Sequence, residues 1–167
     1  KMMKSKLGLF SDNKHDLQLI QNLEDTLQLV ETDMTIFFRL LSDFSDAKSG
    51  LKLIEKAFYN FNDVSDEIKR LWNLWFNSYF ERLQKETLSN TERKQKMDVI
   101  NPKYVLRNYM AQLAIDAADE FDYSLIDELY QLLKKPYSEQ PENEKWFAKR
   151  PEWARHKVGC SMLSCSS

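Results

Sequence analysis

The sequence predicts an all-α protein, and three observations support that fold class. Only three glycines and four prolines interrupt its 167 residues. No stretch alternates apolar and polar residues as a half-buried strand would. Apolar residues instead recur three and four positions apart along most of the chain, which places them on one face of a helix. The ten Phe, seven Tyr and four Trp residues predict a core dominated by aromatic side chains.

The first predicted helix follows Ser11 and Asp12, and its apolar positions share one face: Leu17, Ile20, Leu23, Leu27 and Val30. A second helix begins after Thr32 and directs a second set inward: Met34, Phe37, Phe38, Leu41 and Phe44. Gly50 separates these helices from a third apolar set: Leu51, Ile54, Ala57, Phe58 and Phe61. The first 60 residues therefore contribute three helical segments to the predicted core.

Ser65 is the predicted N-cap of a long helix, because Asp66 and Glu67 follow it in the first turn, where carboxylates oppose the helix dipole. The helix carries a broad apolar stripe: Ile68, Leu71, Trp72, Trp75, Tyr79 and Leu83. The aromatic cluster Trp72, Trp75, Phe76, Tyr79 and Phe80 fits either a core or a docking surface. Ser89 and Glu92 have the spacing of a capping box for a further helix that ends near Ile100.

Asn101 and Pro102 are the predicted N-cap and first position of the next helix. Apolar residues cover most of its surface: Leu106, Tyr109, Met110, Ala111, Leu113, Ala114, Ile115, Ala117 and Ala118. Its polar strip consists of Asn108, Gln112 and Asp116, four residues apart. A helix apolar on most sides belongs at the centre of a fold, with its polar strip bonded to a neighbour.

A last helix runs from about Ser124 to Lys134 and stops before Pro136. Residues 136–167 contain three prolines and no periodicity, which predicts an irregular strap pinned by Trp146, Phe147 and Trp153 and followed by a loose tail. We therefore predict a helical domain over residues 1–135 and a strap and tail over residues 136–167, together forming one structural unit.

Charge and hydropathy argue against two classes of partner. The net charge is −2, whereas nucleic-acid binders usually show a strong basic excess, and the basic clusters at residues 1–6 and 92–96 lack interleaved aromatics. No apolar run approaches the roughly 20 residues of a membrane span. We expect neither a nucleic-acid nor a membrane partner. The chain begins with Lys1, and this start leads us to expect that a preceding part has been removed.

The motifs of phosphate loops, zinc hydrolases, serine hydrolases and active kinases are missing from the sequence. His15 and His156 are far apart and lack companion ligands. Two acidic groups could hold a hard cation, although cap and turn roles explain them equally well: Asp43 with Asp46, and Asp63 with Asp66 and Glu67.

Two arginines stand out in the sequence. Arg39 is interpreted as a snorkelling side chain or as the partner of a helix-end carboxylate. Arg107 is interpreted as half of a structural ion pair, with a ligand contact as the alternative.

Cys160 and Cys165 form neither a disulfide framework nor a zinc motif. A thiol among small polar residues near the end of a chain is accessible to oxidants and to partner thiols. An inert tail cysteine is the alternative interpretation.

Six stretches, taken in order, resemble the C-terminal portion of the selenoprotein O family of kinase-like protein adenylyltransferases: "KLGL" (6–9), "DMTIFFRLLSD" (33–43), "NPKYVLRNYMAQLAIDAAD" (101–119), "LLKKPYSEQPE" (132–142), "RPEWA" (150–154) and the terminal "SCSS". The resemblance covers nearly the whole chain. It implies the multi-helix C-terminal region of a protein-kinase-like fold that binds ATP with Mg or Mn and transfers AMP to protein hydroxyls.

The family's nucleotide-binding and metal-binding residues lie upstream of the "KLGL" region, so the resemblance implies no catalytic or cofactor-binding residue here. Cys165 stands where eukaryotic members place selenocysteine. The resemblance implies that this cysteine, as in bacterial relatives, pairs with a cysteine near the active-site loop and restrains activity under oxidation. Cys160 is an additional thiol, and the choice between the two, or a local Cys160–Cys165 disulfide, stays open.

The leading hypothesis is therefore the C-terminal helical part of a protein adenylyltransferase, inactive by itself, with a redox-responsive tail. It would pack against the N-terminal kinase-like region of the same chain, act with it on protein substrates, and reside in the cytoplasm of a bacterium or the mitochondrion of a eukaryote. The alternative is a free-standing helical protein-interaction module. A complete enzyme within these 167 residues is the least favoured hypothesis.

Overall fold

A computed structural model describes residues 1–157 of the protein. The predicted all-α class is confirmed for these residues, in which β pairing is limited to one isolated bridge between Thr32 and Phe58. The chain divides into two compact units, Lys1–Pro102 and a second that begins at Lys103. The division into a helical domain and a strap at residue 135 stays a prediction.

The first unit contains six α-helices: α1 (Met2–Lys6), α2 (Asp16–Leu27), α3 (Met34–Leu41), α4 (Gly50–Leu53), α5 (Asp66–Leu83) and α6 (Asn90–Asp98). Short 3-10 turns follow α4 at Glu55–Ala57 and Phe61–Asp63. The predicted caps of α5 and α6 are confirmed. The Ser65 hydroxyl accepts a hydrogen bond from the amide of Ile68, and Ser89 and Glu92 form the full capping box. The sequence did not predict α1, which is only five residues long.

Helix α5 supplies the aromatic core of this unit. Trp72, Trp75, Phe76 and Tyr79 are all at most 3% exposed. The rings of Trp75 and Tyr79 stack with their centroids 4.9 Å apart, and Phe76 stacks on Phe44 of the loop after α3 at 5.5 Å. Such pairs add about 0.5–1.5 kcal/mol each beyond the burial of their area. Four of the five residues of the cluster are therefore core, which was one of its two predicted roles, and Phe80 is half-buried.

The buried face of α2 is rotated relative to the predicted one. Leu23 is buried as predicted and Ile20, Leu27 and Val30 are half-buried, but Leu17 is 79% exposed. The residues that complete the buried face are Asp16, Leu19 and Thr26. Two polar contacts set this rotation, because Asp16 binds Arg82 of α5 and the indole Nε1 of Trp75 donates to the Leu19 carbonyl at 3.1 Å. Met34 was also predicted to point inward and is 43% exposed, whereas Phe37, Phe38, Leu41 and Phe44 are buried as predicted.

The segment "KLGL" is anchored in the first unit through its backbone. The Tyr79 hydroxyl donates to the Leu7 carbonyl at 2.7 Å, and the Asn101 side-chain amide donates to the Lys6 carbonyl at 2.9 Å. Gly8 has φ +67°, and a Cβ there would lie 2.7 Å from the sulfur of Met97. The glycine is therefore required both by its backbone conformation and by the close approach of α6.

The second unit contains α7 (Asn108–Asp119) and α8 (Ser124–Leu133). The prediction that Asn101 and Pro102 begin α7 is wrong, since the helix begins at Asn108. The amides of Lys103 and Tyr104 both donate to the Pro136 carbonyl, at 2.9 and 3.0 Å, and the Tyr104 hydroxyl donates to the Gln140 carbonyl at 3.0 Å. These bonds to a distant segment replace the first turns of the predicted helix.

Residues after α8 cover the core of the second unit. Two 3-10 turns, Pro141–Trp146 and Glu152–Arg155, form within the predicted strap. Trp146 is buried and its Nε1 donates to the Glu128 carboxylate at 2.7 Å, while Phe147 packs against the same core. These contacts confirm two of the three predicted pins. Trp153 is 46% exposed and touches Tyr109 edge-on at 6.4 Å.

Candidate functional site

A buried ion-pair cluster in the first unit is built around Arg82 of α5. Its Nε donates to the Asp16 carboxylate at 2.5 Å, its Nη2 donates to the Ser11 carbonyl at 2.9 Å, and its Nη1 lies 2.8 Å from the Glu86 carboxylate. Lys4 adds a second cation 2.8 Å from Asp16. The side chains of Arg82, Asp16 and Glu86 are 5%, 3% and 3% exposed.

The electrostatics of this cluster keep its carboxylates ionised. Burial pushes the pKa of Asp16 upward, but hydrogen bonds from Arg82 and Lys4 outweigh burial and hold that pKa below its ordinary value. Burial likewise opposes ionisation of Glu86, and hydrogen bonds from Ser11 bring its pKa below the usual range. A carboxylate whose oxygens are held by protein donors is a poor general base. We therefore assign the cluster a structural role, in which its ion pairs hold α1, α2 and α5 together.

Two more buried arginines bind backbone carbonyls at a helix end and in loops. Arg39 donates to the carbonyls of Asp98 and Asn101, at 3.0 and 3.1 Å, and lies 3.5 Å from the Asp98 carboxylate. This confirms the prediction that Arg39 is the partner of a helix-end carboxylate. Arg93 donates to the Phe44 carbonyl. In both cases the guanidinium satisfies carbonyl groups that a loop or helix terminus would leave without a donor.

In the second unit, Lys103 is a buried cation that pairs with two carboxylates. Its side chain is 8% exposed, and its ammonium lies 2.6 Å from both Glu139 and Glu144. Burial lowers the pKa of Lys103, but the hydrogen bonds to these two carboxylates more than offset burial and raise it. The ammonium also lies 5.2 Å from the centre of the Phe147 ring. The lysine thus fastens residues 139–147 onto the second unit.

The predicted site residues are distributed as follows. Cys160 and Cys165 lie outside the described residues. His15 and His156 are exposed. Asp46 accepts from the amide of Ser49 at 3.2 Å, which is the turn role considered for it, whereas Asp43 forms an ion pair with Lys94 of α6 at 2.9 Å.

The second acidic group also has local roles. Asp63 accepts from Asn60, and Asp66 lies 3.3 Å from Lys69. Arg107 occupies the N-cap position of α7. Among residues 1–157 no group of three or more His, Cys, Asp or Glu side chains is arranged to hold a metal ion. Within the same range no helix is both long and apolar enough to cross a membrane.

An apolar groove lies between α7 and α8, with a volume of about 390 Å³. Its lining contains one charged residue, Asp119, and otherwise Leu, Ile, Ala and Tyr side chains. Helix α7 buries Tyr109, Met110 and Ala114, and Ala111, Leu113, Ala117 and Ala118 are half-buried. Of the predicted apolar residues, Ile115 and Leu106, which precedes the helix, are exposed in the described part of the chain. Its polar strip is bonded as predicted at one position, where Asp116 lies 2.6 Å from Lys157.

Sequence reasoning identified Arg39 but missed the buried cations Arg82, Arg93 and Lys103, although a signal was present for the two arginines. Arg82 lies seven residues after Trp75 and three after Tyr79, in register with the buried stripe of α5, and Arg93 lies four residues before buried Met97. A charged residue in the register of an apolar face is expected to find a buried partner. The partners themselves, such as Asp16, are distant in sequence and leave no local signal.

Comparison with known proteins identifies a family model that matches this chain and proteins that are similar to it. A family model described as "Protein adenylyltransferase SelO" matches residues 1–134. The chain is similar to the protein nucleotidyltransferase YdiU of Flavobacterium johnsoniae, with 63% identity over 99% of this chain and 32% of that protein. The corresponding proteins of Rhodopirellula baltica and Aromatoleum aromaticum are 44% and 40% identical over 99% and 100% of the chain, and 33% and 32% of their own lengths. The chain thus spans about one third of the curated relatives it matches.

Proposed function

We propose, since the chain belongs to the SelO family, that it is the C-terminal helical part of a kinase-like protein adenylyltransferase. The whole enzyme would transfer AMP from ATP, with Mg or Mn, to Ser, Thr or Tyr hydroxyls of proteins. The helices described here would support the nucleotide-binding region that precedes them in the same polypeptide, and would not carry out the transfer themselves.

One observation carries this proposal. The chain matches a protein nucleotidyltransferase at 63% identity along 99% of its own length, but covers only 32% of that protein. Phosphate transfer needs cations and metal-binding carboxylates that are open to the nucleotide. In the described residues the buried cations Arg82, Arg93 and Lys103 are bound to protein oxygens instead. This favours a nucleotide site in the remaining two thirds of the enzyme.

The tail cysteines give the proposal a regulatory part. Cys165 would form a disulfide with a cysteine of the upstream region when a thiol oxidant removes two electrons and two protons from the pair, and a reductant would reverse it. Cys165→Ser in the full-length enzyme should remove the response of its activity to reductant. Cys160→Ser is the matched control and should keep that response. A Cys165→Ser enzyme that still requires reductant would contradict the tether.

The function is tested with the full-length protein and two labelled forms of ATP. AMP transfer leaves the α-phosphate on the protein and releases the β- and γ-phosphates as pyrophosphate. We expect acid-stable protein labelling from α-labelled ATP, none from γ-labelled ATP, and much weaker labelling from α-labelled UTP. Labelling by the γ-phosphate would indicate a kinase instead. Preferential labelling by UTP would retain the nucleotidyltransferase class and overturn the choice of AMP.

The open groove of α7 and α8 favours a second candidate, a free-standing interaction module that docks a partner protein. The two candidate functions predict different coding sequences before Lys1. A reading frame that encodes a nucleotide-binding region before Lys1 supports the enzyme, whereas a translation start at Met2 or Met3 supports the module.

A further inference from the structure

The α7–α8 hairpin carries an apolar face that stays exposed among the described residues of its unit, 103–157. Ile115 of α7 is 53% exposed, and Ile126 and Tyr130 of α8 are 45% and 61% exposed. All three line the groove, together with Leu106 and Leu133 at one end and Ala118 toward the other. A contiguous apolar surface of this kind on a folded unit marks a binding site more often than a bare surface.

The turn of the same hairpin provides a second, independent observation. Phe121 has φ +63°, and its side chain is 84% exposed. The amide of Phe121 donates to the Ala118 carbonyl at 2.9 Å and that of Asp122 to the Ala117 carbonyl at 3.0 Å, which is the Schellman pattern at a helix end. Glycine normally occupies this left-handed position, because a bulky side chain destabilises it.

The strain at Phe121 is not offset by burial of its ring within the described residues. Nor does the turn itself require a phenylalanine, because glycine or asparagine would form it with less strain. A strained residue that presents a large apolar ring to solvent is consistent with a ring that is used in binding. Phe121 does not line the groove but lies in the turn that joins its two helices. The docking face is defined here as the groove residues Leu106, Ile115, Ile126, Tyr130 and Leu133 together with Phe121.

The chemistry of the groove selects its occupant. A small ligand needs a few polar groups to orient it, and the lining side chains of this groove offer two, the Asp119 carboxylate and the Tyr130 hydroxyl. An open apolar channel between two helices instead fits the apolar face of a third helix. The turn end is acidic, with Asp119, Glu120 and Asp122, and the opposite end carries Lys134. A complementary helix therefore has lysine or arginine near Phe121 and acidic residues at its other end.

We propose that the docking face receives an amphipathic helix of this charge pattern from the upstream two thirds of the same polypeptide. The inference rests on the proposed function, because the relatives are about three times as long as this chain. A segment tethered in the same polypeptide is present at a high effective concentration, which favours it over a separate molecule. Docking would bury Phe121 and position the C-terminal helices against the region that binds the nucleotide.

Hydroxyl-radical footprinting of the full-length protein tests the docking face directly, since it reports the exposure of individual side chains. We expect Phe121 and Tyr130 to be oxidised severalfold more slowly than their exposed fractions in the described chain would predict. Leu17, on the first unit and 79% exposed, serves as an internal reference that should react at its full rate. Full reactivity of Phe121 and Tyr130 in the full-length protein would overturn the proposal.

The variant Ile115→Asp places a charge on the docking face at a side chain that its own unit leaves half exposed. In the full-length protein it should restore the reactivity of Phe121 and lower the melting temperature. The matched control Leu17→Asp should change neither. Light scattering identifies the case in which a second copy occupies the face. There the wild type would be a dimer, and Ile115→Asp would convert it to a monomer and remove the protection of Phe121. That result would overturn the intramolecular docking.

The docking and the proposed function can fail separately. Labelling by α-labelled ATP is measured on the same preparation. Labelling together with a fully reactive Phe121 refutes the docking face and leaves the enzyme intact. Protection of Phe121 without labelling supports the docking face and counts against the proposed activity.

Discussion

Replacement of Asp16 by alanine should destabilise the first unit strongly. Asp16 is 2% exposed and accepts hydrogen bonds from Arg82 at 2.5 Å and from the Asn13 amide at 3.1 Å, with Lys4 at 2.8 Å. Its removal leaves the Arg82 guanidinium buried beside a single carboxylate, Glu86. Loss of one partner of a buried ion pair costs about 3–5 kcal/mol, because the remaining charge loses its compensation. Each kcal/mol corresponds to a fall in melting temperature of roughly 4–8 °C for a unit of this size.

Denaturant unfolding of the purified chain, followed by tryptophan fluorescence, measures this loss. Trp72 and Trp75 lie in the core of the first unit and report on its unfolding. Asp12→Ala is the matched control, since Asp12 contacts the same Lys4 at 2.6 Å but its side chain is fully exposed. It should leave the free energy of unfolding essentially unchanged. Equal effects of the two substitutions would refute the reasoning that burial makes the Arg82 cluster important.

The same variant has a pH dependence of defined sign. The pKa of folded Asp16 lies below its ordinary value of 3.8, so the unfolded chain binds the proton first as the pH falls. The contribution of Asp16 is therefore complete above about pH 4 and disappears as the pH falls through the folded pKa. The stability difference between wild type and Asp16→Ala should shrink in acid. A difference that stays constant down to the acid unfolding of the chain would contradict the assigned pKa direction.

Three further predictions concern stability of the purified chain. Gly8→Ala should destabilise the first unit by at least about 1–2 kcal/mol, which is the cost of a left-handed non-glycine residue. The new Cβ would also lie too close to Met97, which adds to this cost. Unchanged urea unfolding would contradict the prediction. Ser89→Ala should cost about 1 kcal/mol by removing the capping box while Ser89→Asp retains most of it, and equal losses would argue against the cap. Phe121→Gly should stabilise the second unit by about 1–2 kcal/mol in thermal unfolding, whereas Phe121→Leu should not, and a destabilised glycine variant would show that the ring is needed within this unit.

Local signals predicted the elements of this fold well. Ser65 and the pair Ser89 and Glu92 were identified as caps because a cap depends on residues only three apart. The helix that starts at Ser124 was found for the same reason, since its apolar spacing and the following proline are local features. The aromatic stripe of α5 was also visible, because a regular period of large side chains on one helix rarely has another cause.

Long-range contacts account for what the sequence did not predict. Asn101 and Pro102 have the local signature of a helix start, but the amides of the two following residues bond to Pro136, more than 30 residues away. Leu17 fits an apolar face of α2 by spacing alone, yet the helix is rotated by the pairing of Asp16 with Arg82. The open face of α7 also depends on a contact that is distant in sequence. The apolar residues that the helix does not bury indicate a partner, but the sequence does not identify it.

The most direct test of the central claim is ATP binding by two purified proteins, measured calorimetrically in the presence of Mg. The claim is that these helices support a nucleotide site that lies in the preceding part of the enzyme. We predict stoichiometric binding heat for the full-length protein and none for residues 1–157 or for the whole 167-residue chain. Stoichiometric ATP binding by the 167-residue chain alone would contradict the claim.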